Sequence, residues 1–118
     1  MCGIAGEIRF DGATADPGTI HRMTCAQSGR GPDGSGVWAQ GAVAMGHCRL
    51  KIVDLSPSGG QPMVDSRLGL SIVFNGMIYN YRQLREELRG MGYEFFSTSD
   101  TEVALKAYHR WGRECVYH

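Results

Sequence analysis

The chain has 118 residues, 42% of them hydrophobic, which is the size and composition of one globular domain. Lys+Arg and Asp+Glu are equal at 12 each, so no charge excess directs it to nucleic acid or to an anionic membrane. No apolar run approaches the roughly 20 residues that cross a bilayer. The start lacks the basic flank and apolar stretch of a signal peptide, so a cytoplasmic protein is expected, with Cys2, Cys25, Cys48 and Cys115 reduced.

Residues Gly3 to Phe10 alternate, with Ile4, Gly6, Ile8 and Phe10 on one face, and predict a strand that begins almost at the terminus. Asp16-Pro17 is an N-cap followed by proline at the first helical position. A helix is expected from Pro17 to Ser28, with Ile20 and Met23 inward and Gly29 as its stop. Arg30-Gly31-Pro32-Asp33-Gly34 is a compact loop in which Arg30 and Asp33 can pair. Two strands follow, Val37 to Gln40 and Ala42 to Leu50, around a turn at Gln40-Gly41. Leu55 to Pro62 is a polar loop. Leu70 to Phe74 is apolar enough for a buried strand, and it ends at Asn75-Gly76. Asn80 to Gln83 is a capping box for a helix to about Arg89, with Leu84 and Leu88 on one face. Tyr93 to Phe96 predicts a short strand. Ser99 to Glu102 is a second capping box, opening a helix to Trp111 with Ala104, Ala107, Tyr108 and Trp111 inward. Strands and helices group rather than alternate, so the expected class is α+β.

Cys2 has two readings. If Met1 is removed, Cys2 carries a thiol (pKa about 8.5) and a free α-amine (about 8), close enough to exchange a proton near neutral pH. That is a nucleophile with its own base, a known variant of nucleophilic catalysis. The other reading is a small residue tucked into a strand end. The four histidines, His21, His47, His109 and His118, have no metal-ligand spacing, and no metal site is expected.

Six segments, taken together and in order, decide between the readings. Cys2-Gly3-Ile4-Ala5-Gly6, Arg30-Gly31-Pro32-Asp33, Arg49-Leu50-Lys51-Ile52-Val53-Asp54, Gln61-Pro62-Met63, Phe74-Asn75-Gly76-Met77-Ile78-Tyr79-Asn80 and Ser99-Asp100-Thr101-Glu102 resemble class II glutamine amidotransferases. Within these the chain is similar to the asparagine synthetase branch. Gly92 to Asp100 and Lys106 to His109 are closest in wording to the N-acetylglutaminylglutamine amidotransferases.

The resemblance implies an N-terminal-nucleophile hydrolase fold, an αββα sandwich, that hydrolyses glutamine and passes ammonia to a synthetase domain. It implies Cys2 as nucleophile and Asn75 and Gly76 as oxyanion donors. It implies substrate contacts from Arg49, Leu50, Ile52, Val53, Asn75, Met77 and Asp100, with Arg49 on the α-carboxylate and Asp100 on the α-ammonium. Two positions depart from the family pattern: Cys48 stands where relatives often carry a second arginine, and Met77 where typical asparagine synthetases carry glutamate. The family's glutaminase unit runs past residue 118, so a truncated sandwich is expected, residues 1 to 118 being a partial domain. No cofactor is expected in this chain; ATP and magnesium would belong to a C-terminal synthetase domain in cis, in a full-length protein that could be a homodimer. The alternative is a catalytically inactive fragment that acts at most as an interaction or structural piece.

Overall fold

The computed structural model describes residues Met1–His118. It is an α+β arrangement with two small antiparallel sheets and three α-helices. Strand β1 (Gly3–Ile8) is an edge of the first sheet, whose order is β1-β3-β2, with β2 (Ser35–Gln40) and β3 (Val43–Cys48) forming a hairpin. The second sheet pairs β4 (Met63–Asp65) with β5 (Leu70–Ile72). Gly41 opens the β2–β3 turn with φ +56°, the position that a tight hairpin reserves for glycine.

Helix α1 (Pro17–Ala26) lies on the first sheet. Asp16 caps it by accepting from the Gly18 and Thr19 amides. Its buried face is Ile20 and Thr24, not Ile20 and Met23; Met23 is 44% exposed. The reason is Gly46. A side chain there would run into Thr24 Oγ1 and Ile20, so β3 lets the helix approach closely at those two residues. Ile20 joins Ala5, Ala15 and Ala44 in one core cluster.

Helices α2 (Tyr81–Gly90) and α3 (Asp100–Trp111) pack on each other through Leu84, Leu88, Val103 and Ala107, the second core cluster. The α3 stripe is rotated from the expected one. Val103 and Ala107 face α2, while Glu102 and Lys106 are also buried and Tyr108 is 51% exposed. Lys106 meets Asp65 of β4 at 3.3 Å and also bonds Glu102, so ion pairing rather than apolar packing orients that side of the helix.

Three further local expectations differ from the structure. Tyr93 to Phe96 is not a strand: the amides of Phe96 and Ser97 are taken by the Glu102 carboxylate at 2.9 and 2.7 Å, which supplies the acceptor a neighbouring strand would have supplied. Asn80 does not cap α2; its side chain donates to the His118 carbonyl. Strand β5 is half-buried and ends at Ile72, leaving Val73 and Phe74 to run as irregular chain into Asn75. No helix is long and apolar enough to cross a membrane.

Candidate functional site

Strand register brings the first site residues together. Gly3 pairs with Cys48, so one step outward Cys2 lies beside Arg49. The Leu50 amide donates to Cys2 Sγ at 3.2 Å, and Arg30 Nε donates to the Cys2 carbonyl at 3.3 Å. Position 2 is therefore gripped by two elements and does not fray as a terminus ordinarily does. Arg30 and Asp33 are not paired. Asp33 instead accepts from the Lys51 amide at 2.9 Å, so the two residues of the loop hold the two sides of the Cys2–Leu50 junction.

Arg49 is 8% exposed. Its guanidinium donates to the Ser56 carbonyl at 2.9 Å and to the Asp54 carbonyl, and Gly59 packs so close that a side chain there would strike it. Two of five N–H donors are thus spent on locking the group in place, and the rest are available. Asp54 organises this turn. Its carboxylate accepts from the Ser56 amide at 2.8 Å and hydroxyl at 2.6 Å, and from the Thr98 amide at 2.9 Å. Burial alone would raise this carboxyl, but the Ser56 and Thr98 hydrogen bonds outweigh it and hold the pKa at about 2.

Asp100 is the first residue of α3, where the helix dipole favours a negative charge. One carboxylate oxygen accepts from the Ile78 amide at 3.1 Å. The segment before it is held from three directions: Arg85 of α2 donates to the Ser97 and Ser99 carbonyls at 2.7 and 2.8 Å, Glu102 of α3 takes the Ser97 amide, and Asp54 takes the Thr98 amide.

One cavity of about 290 Å³ is lined by Cys2, Arg49, Leu50, Ile52, Val53, Asn75, Gly76, Met77 and Asp100. Those are all nine residues singled out from the sequence. Met1, Asp54, Gly59, Gln61, Phe74, Ser99 and Thr101 complete the wall. A larger cleft of about 850 Å³ lies between β4 and Tyr93–Phe96 and contains none of the nine. Its Lys106 is committed to Asp65 and Glu102, and its Arg67 to Glu94. The smaller cavity therefore has the chemistry: a thiol, a fixed guanidinium, a carboxylate, a carboxamide and a glycine on one concave surface. Met77 adds an apolar wall where an acid would have added charge. No group of three His, Cys, Asp or Glu side chains is arranged to hold a metal ion.

Residues 1–118, the whole chain, match the family model described as a glutamine amidotransferase domain. The chain belongs to that family. It is 45% identical over 121 residues to asparagine synthetase [glutamine-hydrolyzing] 3 of Bacillus subtilis, covering 100% of this chain and 20% of that protein. Identity to the putative asparagine synthetase [glutamine-hydrolyzing] 2 of Methanocaldococcus jannaschii is 40%, over 98% of this chain and 25% of that protein. The amidase chry2 of Gibberella zeae is 32% identical, over 100% of this chain and 19% of its own length. This glutamine amidotransferase domain thus spans about a fifth to a quarter of the length of the curated relatives it matches.

The other departure from the family pattern also has a local account. Cys48 is 1% exposed, and its Sγ lies 3.1 Å from the Gln27 carbonyl and 3.8 Å from that of Gly3. It is packed under β1 behind the junction that carries Cys2, where its small neutral side chain meets two backbone carbonyls. Sequence reasoning quoted Asp54 and Gln61 within family segments but gave neither a part in the site's frame, and it missed Arg85; Asp54 also had a local signal, the Asp-x-Ser pattern of an Asx turn.

Proposed function

We propose that this chain is the glutamine-hydrolysing part of an asparagine-synthetase-like amidotransferase, built on the N-terminal-nucleophile αββα plan. The observation that carries the reading is the shared cavity of Cys2, Arg49, Asn75, Gly76 and Asp100. With Met1 removed, the Cys2 α-amine takes the thiol proton through a water, and the thiolate attacks the side-chain amide carbon of glutamine. The Asn75 carboxamide and the Gly76 N–H donate to the oxyanion that forms. The ammonium of Cys2 protonates the departing nitrogen, which leaves as ammonia with rupture of the C–N bond. Water, activated by the regenerated amine, then cleaves the thioester to glutamate and the free thiol. Arg49 takes the substrate α-carboxylate through its uncommitted N–H groups, and Asp100 takes the α-ammonium.

Ammonia would pass to a C-terminal synthetase domain in the same polypeptide. ATP and magnesium would serve that domain. The test of the core reading is Cys2→Ala in the whole protein. Glutamine hydrolysis is expected to vanish while synthesis from added ammonia persists; continued glutamine cleavage near the wild-type rate would overturn it.

A further inference from the structure

Phe74 is held in an unusual way. It lies beyond the last ladder residue of β5, so neither its N–H nor its C=O has a strand partner. Both are nonetheless satisfied, and both by side chains from elsewhere. The Phe74 N–H donates to Gln61 Oε1 at 2.6 Å, and the Phe74 C=O meets His47 Nε2 at 3.2 Å. A carbonyl oxygen can only accept, so Nε2 carries the ring proton. His47 Nδ1 is then a bare, buried nitrogen with no partner. Leaving a buried polar atom unmatched is costly, and here the single satisfied contact of the ring is the one to Phe74. Gln61 is engaged at its other end as well: its Nε2 donates to Thr101 Oγ1 at 3.2 Å, one residue past Asp100.

The residue held this way immediately precedes Asn75 and Gly76. We propose that His47 and Gln61 are positioning residues for amide hydrolysis: by gripping both backbone groups of Phe74 they set Asn75 and Gly76 against Cys2, and through Thr101 Gln61 ties that setting to Asp100. The inference rests on the roles proposed above for Cys2, Asn75 and Gly76. A donor pair aimed at a developing oxyanion acts only when held to a fraction of an ångström. Phe74 has no sheet neighbour to provide that precision, so the two side chains provide it. His47 is fully buried on β3, two residues before Arg49, and Gln61 bridges to α3. The oxyanion segment is thereby referenced to β3, which leads directly into Arg49, and to α3, which begins at Asp100.

The test uses the whole protein and four variants. His47→Leu and Gln61→Met remove the grip with little change in volume, while His47→Gln and Gln61→Glu retain a donor or an acceptor in place. Glutamine-hydrolysis kcat and KM are measured alongside the rate of Cys2 alkylation by iodoacetamide, read on the N-terminal peptide by mass spectrometry, and kcat is expressed per reactive Cys2. The first pair is expected to lose about tenfold or more in kcat with KM within about threefold, because the donors serve the transition state. Cys2 alkylation should be unchanged, and the second pair should recover to within about threefold of wild type. A first pair that keeps its kcat, a loss confined to KM, or a second pair as damaged as the first would overturn the proposal. If His47→Leu does not fold, Gln61→Met decides, since Gln61 is only half-buried. Asn75→Ala and Cys2→Ala run in parallel: if these leave glutamine hydrolysis intact, it is the assignment of the catalytic groups that fails, and the positioning role with it.

Discussion

At the scale of single residues, the cavity separates binding groups from groups that act on the reacting bond. Arg49 is immobilised by the Asp54 and Ser56 carbonyls before any substrate arrives, so its remaining N–H groups form a fixed fork. Lysine has one ammonium and cannot reproduce both the carbonyl anchors and a two-point grip on a carboxylate. Arg49→Lys is therefore expected to raise KM for glutamine about tenfold or more with a smaller change in kcat; an unchanged KM in steady-state kinetics would exclude the carboxylate role. Asn75 belongs to the other class. Its carboxamide is useful only once the carbonyl oxygen carries charge, so Asn75→Ala should lower kcat by about a hundredfold and leave KM nearly as it was. A pure KM effect would assign Asn75 to ground-state binding.

At the scale of elements, the frame is carried by contacts between segments far apart in the chain. Lys106 of α3 bridges Asp65 of β4 and Glu102 of its own helix, with all three nearly buried and the rings of Phe95 and Phe96 each 4.8 Å from its ammonium. Lys106→Met would leave two buried carboxylates facing each other without a cation. A loss of about 3–5 kcal/mol in denaturant-induced unfolding is expected, and a loss under about 1 kcal/mol would show that solvent already screens the cluster. This cluster also marks the limit of what the sequence makes legible. The hairpin of β2 and β3, the Asp16 cap and the Leu84–Leu88 face each follow from neighbours within a few positions. The Tyr93–Phe96 segment has strand composition, but the Leu88 carbonyl takes the Tyr93 amide and the Glu102 carboxylate takes the Phe96 amide, and nothing local announces that a helix residue will do so. The same holds for the site. The nine cavity residues are recognisable as motifs, whereas the Gln61–Phe74 and Asp54–Thr98 bonds that frame them span 13 and 44 residues and appear only in three dimensions.

At the scale of the whole molecule, buried titratable groups set how stability responds to acid: His47 near neutrality, and Asp54 together with the Lys106-paired Asp65 at lower pH. Burial pushes the His47 imidazole below its ordinary value; the bond to Phe74 opposes this and nearby Arg49 adds to it. The unfolded chain therefore binds the His47 proton first, and stability falls as pH drops below about 6.5, levelling off once the folded ring also protonates. Asp54 acts at lower pH and with the other charge. Its folded pKa of about 2 lies under the unfolded 3.8, so its contribution is complete above 3.8 and is lost as pH falls through about 2. The difference is worth about 2 kcal/mol. Urea unfolding at closely spaced pH values should thus show two separate declines. Asp54→Asn is expected to be less stable than wild type at neutral pH by about that amount, with the two curves converging toward pH 2. His47→Gln should flatten the upper decline and leave the lower one in place. Because Asp54 joins the Arg49 turn to the segment before Asp100, the lower decline should also loosen the cavity, and the Ser56 and Thr98 amides should lose hydrogen-exchange protection over the same pH range. Parallel stability curves for wild type and Asp54→Asn down to pH 2 would show that the Asp54 carboxylate does not hold these two segments together.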